Sequence, residues 1–141
     1  MVPLFKSHYS VGKSILTLRP ASPLEDRDSS QPDSIIDIAV DNELKEVFLV
    51  EDNMSGFLEA YTNLSEHGIN LNFGLRLTVC RDIEDKSPES LSTEHKIIIF
   101  APNEKCYRQL IKINDTAAKQ GFYHVPRTDL KHLKEAYENC R

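Results

Sequence analysis

Long apolar runs, closely paired cysteines and an excess of positive charge are all missing from this 141-residue chain. Each absence excludes something. The longest apolar stretches run four or five residues, as in Ile97 to Ala101, against the roughly 18 needed to cross a bilayer. That excludes a membrane span. Residues 1–10 lack the basic start, apolar block and small-residue cleavage site of a secretory signal, so a cytoplasmic location is expected. Cys80, Cys106 and Cys140 are an odd set with no short spacing between them, which signals neither a disulfide framework nor a zinc site. Reduced thiols are the expectation. With five Gly and seven Pro, 40% hydrophobic and 28% charged residues, the composition is that of one globular domain over residues 1–141.

The net charge of -5 argues against a protein that coats duplex DNA, whose affinity comes mainly from Lys and Arg displacing counterions. The charge is unevenly spread. Residues 1–24 hold three bases and no acid, residues 25–103 six bases and 17 acids, and residues 104–141 eight bases and five acids. Basic ends can meet a nucleic acid or an acidic partner, but such charge commonly does no more than solvate a surface.

Two polar stretches read as mobile loops, residues 19–33 and 82–93. Between them, Ser34 starts a helix with Ile35, Ile38 and Ala39 inward, and Glu46 to Glu51 reads as a strand covered on both faces. Ser55 can cap a helix carrying Phe57, Leu58, Tyr61 and Leu64, closed by Gly68. Alternating apolar residues from Leu71 to Val79 mark a strand, and Lys96 to Phe100 a buried one. Asn103 caps a helix with Tyr107, Leu110 and Ile111, and Thr128 one with Leu130, Leu133 and Tyr137. Strands alternating with helices predict an α/β fold with a mainly parallel sheet. Val47, Leu49, Leu75, Leu77, Ile97 and Ile99 are its expected core, since they lie in the runs that strand pairing would bury.

Motifs for chemistry are sparse. Gly12-Lys13-Ser14 ends like a phosphate-binding loop, but the Gly required five residues earlier is Ser7. His8, His67, His95, His124 and His132 show no ligand spacing, and no Gly-x-Ser-x-Gly elbow is present. Glu51 and Asp52 are adjacent, so on a strand they point to opposite faces and do not form a catalytic pair.

The order of segments, however, resembles the N-terminal PHP (polymerase and histidinol phosphatase) domain of bacterial replicative DNA polymerase alpha subunits. Ser7-His8-Tyr9-Ser10 is similar to that family's Ser-x-Tyr-Ser. Val47 to Gly56 resembles its apolar run followed by Thr-Asp-His, Asn, an apolar residue and Gly; Phe57 to His67, Gly68-Ile69 and Phe73-Gly74-Leu75 resemble its next helix and Gly-x-Glu strand. From His95 to Leu130, the pieces Asn103-Glu104, Tyr107-Arg108, Leu110, Gly121-Phe122-Tyr123 and Pro126-Arg127-x-Asp129-Leu130 follow in the family's order.

The resemblance implies a metal centre from His-x-His, Asp-His and Glu, but the matching positions here read Leu4, Lys6, Val50, Glu51 and Arg76. Protonated Lys and Arg cannot donate a lone pair to a cation. No cofactor and no metal are therefore expected, with ion pairs of Lys6 and Arg76 near Glu51 in the metal's place. The family's domain is a seven-stranded distorted β/α barrel about twice as long, so a partial or truncated barrel is expected, with an uncovered edge on its final strand near Lys96 to Phe100. The first functional reading is a non-catalytic interaction module in DNA replication or repair, binding a replication component or a second copy of itself. A second is a metal-dependent phosphoesterase or exonuclease using His8, Glu51 and Asp52. A third is a nucleic-acid-binding accessory protein using Tyr9, Tyr107, Phe122 and Tyr123.

Overall fold

The computed structural model describes residues 2–10, 16–20 and 32–141. Gly12-Lys13-Ser14 and most of the expected loop at 19–33 lie outside the described residues. The chain divides into two compact units, residues 1–74 and 75–141, and the boundary falls inside one long strand.

In the first unit, Pro3 begins an extended segment that places strand β1 (Leu4–Phe5) parallel to β2 (Glu46–Glu51), with Leu4 opposite Phe48 and Phe5 opposite Leu49. Helix α1 (Ile35–Asp41) makes the crossover that parallel pairing requires. It starts at Ser34, whose Oγ accepts the Ile36 and Asp37 N–H groups and donates to Arg19 O at 2.6 Å. Ile35, Ile36 and Ala39 face inward, and Ile38 is only half-buried, so the inner stripe is rotated from the expected one. Helix α2 (Phe57–Glu66) buries Phe57, Ala60 and Leu64 and leaves Leu58 and Tyr61 exposed; its N-cap is Gly56 rather than Ser55. A side chain at Gly56 would drive a Cβ to 2.6 Å from Tyr9 and 2.8 Å from Leu18, which explains glycine there. Gly68, at φ +68°, ends the helix in the left-handed conformation that glycine adopts freely. Strand β3 (Asn70–Cys80) then begins beside β2, the Asn70 N–H reaching Lys45 O at 2.9 Å. The core of this unit is Leu18, Ile35, Ile36, Val47, Leu49, Phe57, Leu64 and Ile69.

In the second unit, β3 continues through buried Leu75, Leu77, Thr78 and Val79. It pairs in parallel with a short strand, β5 (Arg127–Asp129), Thr78 standing opposite Arg127 and Cys80 opposite Asp129. On its way to β4 (His95–Ala101) the chain makes a 3₁₀ helix at Pro88–Thr93, within the stretch expected to be a loop. Strand β4 ends the hydrogen-bonded order. That is the edge expected of this strand, but the burial expected of the run is corrected: Ile98 is 44% exposed and Phe100 40% exposed, and Ile97 and Ile99 are half-buried. Asn103 caps α3 (Glu104–Lys119) by accepting the Cys106 N–H at 2.9 Å. The last helix, α4 (Leu130–Cys140), is capped by Asp129 rather than Thr128.

Among the described residues no helix is long and apolar enough to cross a membrane. The thiol expectation is also corrected. Cys106 and Cys140 form a disulfide with Cα atoms 4.9 Å apart, and Cys80 alone is free and buried. A spacing of 34 residues carried no signal in the sequence because the bond depends on α3 and α4 packing together.

Candidate functional site

The five positions singled out by the resemblance are Leu4, Lys6, Val50, Glu51 and Arg76. Leu4 is 54% exposed at the start of β1, and Val50 is buried in β2. Arg76 is half-buried on the part of β3 belonging to the second unit. Lys6 and Glu51 share the first unit and do not pair. The Lys6 ammonium instead meets the Asp52 carboxylate at 2.8 Å, which corrects the expected Lys6–Glu51 ion pair.

The end of the strand separates the two carboxylates. Glu51 is the last residue of β2 and is buried, whereas Asp52 lies just past the strand, is exposed and meets the half-buried Lys6. Glu51 is fully buried; its Oε1 accepts the Ser7 N–H at 2.8 Å, and its Oε2 has no hydrogen-bond partner among the described residues.

A turn over residues 7–10 is fastened onto this strand end. Ser10 Oγ accepts the Asp52 N–H at 2.6 Å, Asn53 Nδ2 donates to Tyr9 O at 3.0 Å, and the Tyr9 N–H reaches Ser7 Oγ at 3.2 Å. Farther out, Glu59 of α2 accepts from Tyr9 Oη and Arg19 Nε, each at 2.6 Å. The Tyr9 hydroxyl and then the Arg19 guanidinium hold the Glu59 carboxyl below its ordinary range, and the same carboxylate raises the Tyr9 phenol. His8 is exposed, with Nδ1 at 3.3 Å from Leu16 O.

A divalent cation requires several oxygen or imidazole donors converging on one point. Glu51 Oε2 is one buried oxygen without a partner, but Leu4 and Val50 have no donor atom and Lys6 is a cation already paired. Among the described residues no group of three His, Cys, Asp or Glu side chains is placed to share an ion. The side chains present do not fit a divalent cation. Nor are His8, Glu51 and Asp52 placed to share an ion.

The aromatic residues considered for nucleic acid are engaged in packing or polar contacts, except Phe122. Tyr9 is bonded to Glu59, and burial raises the half-buried Tyr107 phenol. The Tyr123 ring lies 5.0 Å below the Arg127 guanidinium, and Phe122 is 55% exposed.

The second unit holds a polar cluster that motif reasoning did not assign a role. Arg127 is fully buried. Its Nε donates to Gly121 O at 3.1 Å, Nη1 to Ser90 Oγ at 3.0 Å and Glu94 Oε1 at 3.3 Å, and Nη2 to Asp85 O at 2.9 Å. One guanidinium thus ties the 82–94 segment, the end of α3 and β5 together. Asp129, two residues on, caps α4 through the His132 N–H at 3.0 Å and meets His132 Nδ1 at 2.8 Å and the Ile83 N–H at 3.3 Å. Its burial pushes the carboxyl up, but these donors outweigh it and the net shift is downward. The signal available in the sequence was the Pro126-Arg127-x-Asp129 segment, which the geometry shows to be a folding cluster.

An α/β fold of parallel pairs with α crossovers, a Ser-x-Tyr-Ser turn seated on the end of β2 and a buried Arg-x-Asp strand together describe one class of domain. The chain belongs to the PHP domain family, which it matches over residues 26–140. Its similarity extends to the DNA polymerase III subunit alpha of two strains of Helicobacter pylori, 32% and 31% identical over 83 residues. It is also 30% identical over 88 residues to the DNA polymerase III subunit alpha of Chlamydia pneumoniae. These alignments cover 59% to 61% of this chain, and the chain spans about 7% of the length of each relative.

Proposed function

We propose that this PHP domain is a non-catalytic interaction module that acts in the cytoplasm in DNA replication or repair, on or with a DNA polymerase. The observation that carries the reading is the donor set at the β2 end, where Leu4, Lys6, Val50 and Glu51 include one carboxylate in place of a ligand cluster among the described residues. The likeness to polymerase alpha subunits supports the replication setting. The exposed Ile98 and Phe100 on β4, which has a neighbour on one side only among the described residues, support docking of a protein. The partner is a replication component or a second copy of the chain, and the expected interface buries at least about 1,000 Å².

The test is affinity capture from the native host with mass spectrometry, alongside elemental analysis of the purified protein and light scattering over a dilution series. Recovery of a replication component, or a stable dimer, together with no stoichiometric metal is the expected outcome. One tightly held divalent metal per chain, with phosphodiesterase activity lost on chelation, would overturn the reading in favour of a phosphoesterase. A partner-free monomer would refute the interaction role.

A further inference from the structure

The last helix packs on α3 and β5, but its final turn is lightly buried. Ala136 is its one buried side chain, Leu133 is half-buried and Tyr137 is 63% exposed. The end of α4 is held by the Cys106–Cys140 bond, by the Lys105 ammonium on Arg141 O, and by the Arg141 guanidinium 5.7 Å above the Tyr137 ring. Beside the bond lies an apolar cavity of about 260 Å³ walled by Ile97, Ile99, Leu110, Leu133 and Tyr137 together with both half-cystines. Tyr137, Glu138 and Asn139 are exposed and Cys140 half-buried, so the covalent bond is the tie at the very end of the helix.

We propose that Cys106–Cys140 is a reversible redox clasp that exchanges with a small thiol–disulfide couple of the glutathione class and sets whether the last turn of α4 stays closed over the cavity. Three observations carry this. The Cα separation of 4.9 Å lies within the span a disulfide bridges without moving the backbone. The two cysteines differ in access, Cys106 being buried and Cys140 half-buried, so a small thiolate reaches Cys140 Sγ first. The third cysteine does not compete, because Cys80 is buried and its burial raises the thiol above its ordinary range.

The exchange balances in two steps. A small thiolate attacks Cys140 Sγ, the protein S–S bond breaks, and Cys106 leaves as a thiolate that takes a proton. A second small thiolate attacks the sulfur of the first in the mixed disulfide, releasing the small disulfide, and Cys140 departs as a thiolate and is protonated. The protein gains two electrons and two protons, and two small thiols are oxidised to one disulfide. Closure is the reverse, with the small disulfide as oxidant.

The experiment equilibrates the full chain in buffers of varied oxidised-to-reduced glutathione ratio, counts accessible thiols by maleimide mass shift, and follows amide exchange in parallel. Two thiols should appear together as the buffer becomes reducing, with Cys80 reacting only in denaturant. Amides of residues 133–140 should exchange about tenfold faster or more on reduction, while those of residues 46–51 keep their rates. C106S and C140S should each behave as the reduced protein in every buffer. Independent reaction of the two thiols, or a bond that forms without slowing exchange in α4, would overturn the proposal. Wild-type chain compared between oxidising and reducing buffer gives the answer even where a serine variant folds poorly.

Discussion

Replacing Arg127 by Met keeps the volume of the side chain's stem and removes its five donors. Four acceptors lose their partner: two backbone carbonyls (Gly121 and Asp85), the Ser90 hydroxyl and the Glu94 carboxylate. Breaking one member out of a buried ion pair costs about 3 to 5 kcal/mol, because the remaining groups stay desolvated. Here Glu94 is not fully buried and its contact is long, which holds the ion-pair part to about 1 kcal/mol, and each of the three other hydrogen bonds lost adds about 1 kcal/mol. About 4 kcal/mol is the working figure, a large fraction of the roughly 5 to 15 kcal/mol that holds a domain folded. With a urea slope of about 1 to 3 kcal/mol per molar, the midpoint falls by roughly 2 M. Urea unfolding followed by circular dichroism measures it, with hydrogen exchange at residues 75–80 reporting on the second unit in particular. R127K, which keeps the charge but loses the planar fork, should fall between the two. An unfolding free energy for R127M within about 0.5 kcal/mol of the parent would refute the argument that this guanidinium organises the unit.

On β4, Ile98→Ala should cost less than about 1 kcal/mol, while Leu77→Ala on β3 should cost about 2 to 5 kcal/mol, both read from thermal or urea unfolding. Because Asp129 has its folded pKa depressed, its contribution to stability is fully present above the unfolded value near 4 and is lost as pH falls through the lower folded value. Asp129→Asn should therefore flatten the acid limb of a stability-versus-pH curve, and an unchanged limb would contradict the assignment. Glu51→Gln keeps an acceptor for the Ser7 N–H and should shift stability by less than about 1 kcal/mol, whereas Glu51→Leu leaves that N–H unpaired and should cost about 1 to 3 kcal/mol.

Much of the fold was legible because local chemistry and final burial agree. Glu46–Glu51 is a continuous apolar run and becomes a strand with Val47, Leu49 and Val50 buried; Ser34 and Asn103 each cap the helix that follows. The run at Ile97 to Ala101 misled because its composition matches a strand covered on both faces, while its exposure is decided by where the strand falls in the sheet. Strand β5 was missed for the opposite reason. Arg-Thr-Asp has no apolar residue, and it is buried only because partners distant in sequence satisfy Arg127 and Asp129. The partner of Lys6 could not be assigned from two adjacent carboxylates until the burial of Glu51 and the exposure of Asp52 were known.

The β2 end shows how this PHP domain holds its first unit with its own groups. A cation shared between strand ends would draw several carboxylates or imidazoles to one point, each costly to bury unless coordinated. Here the two adjacent carboxylates diverge, and the Ser7–Ser10 turn is fastened by Ser7 N–H to Glu51, Asp52 N–H to Ser10 and Asn53 to Tyr9 O. Those are three neutral or charge-assisted bonds of about 1 kcal/mol each, together outweighing the partly exposed Lys6–Asp52 pair, which surface screening limits to about 1 kcal/mol or less. A turn secured in this way requires no ion to keep its place. In the interaction reading proposed above, the domain acts through its surfaces, chiefly the exposed Ile98 and Phe100 of β4.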